Sequence, residues 1–470
     1  MQQKKNTSTT AYRNRILFVA CLSTSLVPFM GSSINLALPQ IARDFTMNGI
    51  VQTWTLTSYL LLTAILQVPF GRLADIWGKR TVFITGLCLF TITTACCGFA
   101  SNSLFFILLR AFQGIGSAMI FCTNIAIISS VFPPKERGTA MGINAAIVYI
   151  SIAAGPSLGG IITQNIGWEY IFFITAGIAA IALIGSLLVM KEKWVESKGE
   201  SFDVKGSIIY GLALTALIYG LTILPHLTGI LLIVASFGLL FLFIKQERKE
   251  PYPVFNISLL AENKTFRRAS ITALINYAST FPIGFLISLY LQEVKALDAQ
   301  SAGMILIVQP VVQAVLSPFA GKLSDKISPR YLALAGMAII AIVLFVIAFF
   351  LTPASSLTGL FFMLALLGVG FAIFSSPNTN AIMGSVDKKN YSMASATTGT
   401  VRLVGQASSM GITTMIIALY IGDQAITPEV SAQLMKVIHT TFILFATLSA
   451  VGVYTLSARE KRSTNSNLPC

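Results

Sequence analysis

Read for its hydrophobic and polar positions, the chain is a succession of apolar runs cut by short polar turns. Each run is close to the ~20 residues that a helix needs to cross the hydrocarbon core of a bilayer. The runs predict helices over about 15–38, 51–70, 81–100, 104–131, 140–164 and 169–190, with Pro39 ending the first. Two more follow at about 206–224 and 228–244, and six more at about 269–292, 302–320, 331–352, 357–383, 392–421 and 437–456. Charged stretches at 191–205 and 245–268 set the middle pair apart. The expected organisation is therefore a polar tail (1–14), a six-helix bundle (15–190), loops carrying an inserted helix pair (191–268), a second six-helix bundle (269–457) and a tail (458–470). The fold class is an all-α polytopic membrane protein.

One polar turn occurs twice. Gly71-Arg72-Leu73-Ala74-Asp75-Ile76-Trp77-Gly78-Lys79-Arg80 returns 250 positions later as Gly321-Lys322-Leu323-Ser324-Asp325-Lys326-Ile327-Ser328-Pro329-Arg330. A repeat of this kind in a membrane chain points to two parallel halves with a site between them.

Composition agrees with the pattern. Of 470 residues 55% are hydrophobic and 11% charged, where a soluble protein carries about 25% charged residues. The net charge of +14 is explained by placement. With the first tail on the cytoplasmic side, 27 of the 32 lysines and arginines fall on that side and three (Arg43, Lys295 and Lys436) on the other. Arg110 and Arg402 lie within helices. This asymmetry puts both termini in the cytoplasm of a cell-membrane protein, and no nucleic-acid partner is needed to account for it. The first apolar run leads into a second span, so it reads as an uncleaved helix and not a signal peptide. The six cysteines have no metal or redox spacing. No Gly-x-x-x-x-Gly-Lys-Ser/Thr loop is present, and the two histidines sit near helix ends, so an ATP-driven pump or an enzyme is not expected. No metal and no cofactor are called for.

The repeated turn resembles the loop signature of the major facilitator superfamily, Gly-x-Leu-Ala-Asp-x-x-Gly-Arg-Lys, with Gly71, Leu73, Ala74, Asp75, Gly78, Lys79 and Arg80 in place. The resemblance implies a gating latch formed by Gly71, Arg72, Asp75, Gly78, Lys79 and Arg80, with Gly321, Asp325 and Arg330 as its counterpart. In it the Asp pairs with nearby bases and with a helix end of the other half. Arg110-Ala111-Phe112-Gln113-Gly114-Ile115-Gly116 is similar to the family's Arg-x-x-Gln-Gly-x-Gly element, which implies a link between Arg110 and proton transfer; an arginine bracing helices through carbonyls is the structural alternative. Ser151 to Gly160 resembles the antiporter motif, through Gly155, Pro156, Gly159 and Gly160, which goes with export; a tightly packed bent helix is the alternative. Fourteen spans, together with Phe202-Asp203-Val204-Lys205-Gly206 opening the inserted pair, narrow the resemblance to the fourteen-helix drug:proton antiporters.

The chain also departs from that pattern. The subfamily has an Asp ahead of the stretch corresponding to Ser33-Ile34-Asn35-Leu36-Ala37-Leu38-Pro39, and Met30 stands there instead. All 18 acids fall in loops or at span edges, which leaves two arginines and no deep carboxylate inside the membrane. Coupling candidates are accordingly Arg110, Gln113, Arg402 and two edge carboxylates, Glu169 and Glu293. By helix number, as the family implies, the cavity takes Asn35, Tyr59, Asn124, Asn144 and Tyr149 from the first half. From the second it takes Asn276, Tyr277, Gln309, Gln313, Asn378 and Gln406.

The expected function is secondary active transport by alternating access. It is proton-coupled efflux of amphipathic compounds, neutral or anionic rather than strongly cationic. Uptake of an organic anion by a proton symporter or facilitator is the alternative. The partners implied are a small-molecule substrate, protons and the lipid bilayer, and a monomer suffices.

Overall fold

A computed structural model describes residues 2–255, 261–324, 326–386 and 391–457. Fourteen of its helices are long and apolar enough to span a membrane. We number them α1 (Thr10–Asp44), α2 (Gly49–Trp77), α3 (Lys79–Gly98), α4 (Ser103–Val131), α5 (Thr139–Asn165), α6 (Glu169–Val189) and α7 (Val204–Thr222). They continue as α8 (Leu227–Glu247), α9 (Lys264–Val294), α10 (Ala299–Ser324), α11 (Pro329–Phe350), α12 (Leu357–Gly384), α13 (Thr397–Tyr420) and α14 (Pro428–Ser457). The face where α1 begins and α14 ends is called here the terminal face, and its opposite the far face.

The helices start where the sequence supplies an acceptor for their free N–H groups. Asn48 caps α2 through Val51 N at 2.8 Å, Asn102 caps α4 through Phe105 N at 2.9 Å, and Asp203 caps α7 through Gly206 N at 2.8 Å. Asn263, Asp298 and Ser356 do the same for α9, α10 and α12. Exposed Asp298 is held below the usual carboxylate range by the Ser301 N–H and hydroxyl that it accepts.

Packing follows a rule of eight. Within the first half α2 packs on α4, α1 on α5, α3 on α4 and α6, and α1 on α6. Eight helices later the same pairs recur as α10 on α12, α9 on α13, α11 on α12 and α14, and α9 on α14. The halves meet along two equivalent seams, α5 with α10 and α13 with α2, and α1 touches α9 between them. Helices α7 and α8 pack together, and α7 lies against α2 and α13, covering that seam from outside. Two six-helix bundles with an inserted pair are thus the architecture.

Three departures from the sequence expectations have local causes. The first helix does not stop at Pro39 but runs to Asp44 with Pro28 and Pro39 inside it. A proline cannot bond to the carbonyl four residues back, and in a membrane that carbonyl needs another donor. Ser288 Oγ of α9 supplies it, bonding Asn35 O at 2.7 Å, while Gln292 Nε2 reaches Leu36 O at 3.3 Å. The tail before residue 15, expected as a polar extension, is already helical. Finally, α9 is not one regular helix: an α-helical stretch ends at Thr280 before Pro282, and the last turn, Tyr290–Val294, is a π-helix.

Candidate functional site

The first copy of the charged hairpin is bound to the segment that leads to the inserted pair. Lys79 N and Arg80 N donate to Trp194 O and Lys193 O at 3.3 and 3.4 Å, and Glu196 N and Ser197 N donate to Asp75 O at 3.1 and 3.0 Å. Gly78 makes this possible: its φ is +101°, and a Cβ there would lie 2.7 Å from Lys193 O. The strap brings two glutamates to the bases. Lys79 pairs with Glu196 and Arg72 with Glu200. Arg72 also donates to Ser197 Oγ at 3.3 Å. The sequence had suggested that the Asp75 carboxylate would take these bases. Asp75 contributes its backbone oxygen to the strap, and its carboxylate makes no ion pair among the described residues, though Lys79 and Arg72 act on it.

The last base of each hairpin copy has a different partner again. Arg80 Nε donates to Met190 O at the end of α6, and Arg330 Nε donates to Leu456 O, near the end of α14, at 2.7 Å. Each arginine therefore caps the C-terminus of the last helix of its own half, where carbonyls are unpaired and the helix dipole is negative. Gly321 lies against Ser376 Oγ. Asp325 lies outside the described residues.

The antiporter-motif helix is used on two sides. Cβ atoms at Gly155 and Gly159 would fall 1.8 Å from Ser32 Oγ and 2.8 Å from Ser33 Cβ of α1, so those glycines seat α5 on α1 within the half. Gly160 faces across the seam, where a Cβ would be 2.3 Å from Ala299 O of α10, and Gly303 of α10 faces Pro156 O at 2.2 Å in the same sense. These backbone contacts close the far face. Asn165 and Gln300 extend the closure with side chains 3.5 Å apart, and Gly49 N bonds Gln424 O at 2.9 Å beside the other seam.

The far face also holds an ion pair between the halves. Arg43 Nη2 of α1 lies 2.6 Å from Glu293 Oε1 in the π-helical turn of α9. The Glu293 side chain is fully buried, that of Arg43 is 57% exposed, and Glu293 Oε2 has no partner. The two glutamates offered by the sequence thus differ: Glu169 is partly exposed in the first turn of α6 and makes no ion pair among the described residues. A cavity of about 320 Å³ beside the ion pair is lined by Gln40, Arg43, Gln164, Gln292 and Asp298 among others.

The two intramembrane arginines occupy opposite environments. Arg110 is completely buried. Its Nε donates to Thr55 O at 3.2 Å, Nη1 donates to Gln113 Oε1, and the guanidinium lies 4.5 Å from the centre of the Tyr59 ring. Gln113 passes the chain on to Thr94 Oγ1 at 2.7 Å, and Tyr59 OH donates to Ser117 Oγ at 2.8 Å. Helices α2, α3 and α4 are tied together by this network. Arg402 on α13 is only partly buried and sits over the Phe121 ring of α4, in the other half, at 5.4 Å. Among the described residues it makes no hydrogen bond and no ion pair.

The remaining polar positions divide. Tyr149 and Tyr277 are partly buried near the middle of their helices, whereas Tyr59 is buried under Arg110. Tyr149 OH also reaches Ser375 Oγ of α12 at 3.5 Å. Gln406 is one turn along from Arg402 and partly buried. Others pair among themselves: Asn124 with Asn144 at 2.9 Å, and Gln309 with Gln313 at 2.9 Å. Asn276 is buried with its Nδ2 unpartnered. Asn35 belongs to the far-face contacts, and Asn378 lines a separate groove of about 570 Å³ at the terminal face of the second half, beside Arg268 and Arg330. Phe121, Arg43, Glu196 and Glu200 were not singled out from sequence. The glutamates stood in a charged linker where an acid at bonding distance of the hairpin leaves no periodic trace.

Two equivalent helix bundles closing on a polar-and-aromatic centre define a membrane transporter, not an enzyme. The chain belongs to the Major Facilitator Superfamily, whose profile matches residues 20–260 and 269–469. Its fourteen helices fit the drug:proton antiporter subfamily of that family. It is 29% identical over 387 residues to the riboflavin transporter RibZ of Clostridioides difficile, covering 82% of this chain and 84% of that one. It is 28% identical over 419 residues to the multidrug resistance protein Stp of Mycobacterium tuberculosis, covering 87% and 77%. The fold is shared with a bacterial homologue of the human lysosomal transporter Spinster, at a TM-score of 0.67 and 17% identity over 95% of this chain and 96% of that one.

Proposed function

We propose that this transporter exports amphipathic compounds, neutral or anionic, by alternating access, in exchange for protons. The observation that carries the substrate class is Arg402: a cation within the span of α13 that makes no ion pair among the described residues. Met30, where the subfamily has an Asp, is completely buried and apolar, so the chamber lacks the deep carboxylate that a lipophilic cation would seek. Export is supported by relatives such as the tetracenomycin C resistance and export protein of Streptomyces glaucescens, 25% identical over 424 residues. Uptake of an organic anion by a proton symporter or facilitator is the second reading, and a relative named a riboflavin transporter is compatible with either direction.

Glu293 is the proton carrier in this account. Its partner Arg43 belongs to the other half, so parting the far face separates the pair. Its protonation is then tied to conformation, because parting the far face both removes Arg43 and admits water. Arg43 is the charge that acts on it; Lys295, next in the turn, is held by Ser355 O at 2.5 Å.

The test is reconstitution in liposomes under an imposed pH gradient with cationic, neutral and anionic dyes. Neutral and anionic dyes should move against their gradient and stop when the pH gradient is collapsed. Transport of cationic dyes alone would contradict the substrate class, and transport indifferent to the pH gradient would contradict the coupling.

A further inference from the structure

The tyrosines around Arg402 carry the substrate class one step further, on the reading that the centre of the molecule is the transport site. Arg402 is fixed from both sides. Gly399 lets α13 approach α2, with a Cβ there 2.5 Å from Gln67 Nε2, and Gly405 lets it approach α9, with a Cβ there 2.8 Å from Leu274 O. Between these contacts the guanidinium lies over Phe121, and a Cβ at Gly405 would lie 3.2 Å from Tyr277 Cβ. Tyr149 OH reaches across the halves to Ser375 Oγ at 3.5 Å. The residues come from α4 and α5 of the first half and from α9, α12 and α13 of the second.

This combination has a specific chemistry. A guanidinium keeps its charge at any ordinary pH and presents a planar fork that fits a carboxylate, sulfonate or phosphate through two parallel bonds. A guanidinium that stands over an aromatic face and makes no hydrogen bond among the described residues keeps its N–H donors for a guest. An anion from the substrate supplies what the protein withholds, while a cationic guest is repelled. The rings offer flat apolar area at little entropic cost, since each aromatic side chain has few torsions to freeze.

We propose that Arg402, Phe121, Tyr149 and Tyr277 form a recognition site for aromatic organic anions, the anionic group on Arg402 and the aromatic plane against the rings. Arg402 is then the specificity-determining residue of the transporter. Because each half contributes to the site, a bound anion bridges the halves, α13 on one side and α4 on the other.

Binding to the purified full-length chain in detergent tests the site separately from transport. The probes are pyrenebutyrate and its uncharged amide, read by fluorescence, with wild type, Arg402→Lys, Arg402→Gln and Phe121→Ala compared at equal thermal midpoint. Wild type should bind the carboxylate about tenfold or more tighter than the amide, the scale of hydrogen bonds to a charged group. Arg402→Gln should collapse that ratio to near one and Arg402→Lys should keep part of it. Phe121→Ala should weaken both probes while preserving the ratio. A wild type that does not prefer the carboxylate, or an Arg402→Gln protein that still does, overturns the assignment. A chain that shows the preference yet moves neither probe in liposomes upholds the site and overturns the transport reading instead.

Discussion

Arg110 and Arg402 are both single positive charges placed inside the membrane, and the protein treats them in opposite ways. Arg110 is enclosed, bonded to a carbonyl and a glutamine amide, and stacked on Tyr59. Arg402 is partly exposed over one aromatic face and makes no hydrogen bond or ion pair among the described residues. A satisfied buried charge is architecture, since its partners lose a bond as soon as it moves. An unsatisfied one is available to a guest. Both arginines looked alike in sequence, each an isolated base in an apolar run, so the difference lies in what the fold brings to them.

If that contrast holds, substitutions at the two positions should separate cleanly. Arg110→Ala should cost most, about 3 kcal/mol of stability, because it empties a packed site and orphans Gln113 and Thr55 O. The measure is the thermal midpoint and folded yield in detergent, and a midpoint equal to wild type would break the contrast from the structural side. Arg402→Gln should leave the midpoint within a few degrees yet lower the transport of aromatic anions by about tenfold, or about 1.4 kcal/mol. A large loss of stability instead would make Arg402 a second brace.

Smaller effects sharpen the comparison with charges that merely finish helices. Arg330→Ala should cost about 1 kcal/mol by uncovering the end of α14, seen as a lowered midpoint without a change in substrate preference. Asp298→Ala should cost about 1 kcal/mol by removing the cap of α10. Its pH dependence has a definite sign. The folded state depresses the Asp298 carboxyl, so its contribution is present above the ordinary carboxylate range and is lost as pH falls through the lowered value. Thermal midpoints across acid pH should therefore converge for wild type and Asp298→Ala at the lowest values.

Much of the fold was legible in the chain because the bilayer imposes length and apolarity on every span, and the repeated Asp hairpin marked the two halves. What escaped was set by contacts between segments remote in sequence. Pro39 looked like a helix end, and only Ser288, far along the chain, shows why the helix can continue. The hairpin bases seemed destined for Asp75, but the strap delivers Glu196 and Glu200. Phe121 is an apolar residue within an apolar run, so nothing in its neighbourhood distinguished it from lipid-facing side chains. Tyr59, Tyr149, Tyr277 and Arg402, by contrast, could be nominated from helix number and depth, since a polar or aromatic side chain in mid-span is uncommon enough to be noticed.

All of these readings require the far-face seam between α5 and α10 to open and close during transport. Asn165 and Gln300 face each other across it at 3.5 Å. Replacing both with cysteine and joining them with a short thiol cross-linker should abolish transport in liposomes, and cleavage of the linker should restore it. Transport at the wild-type rate by the cross-linked protein would contradict the account.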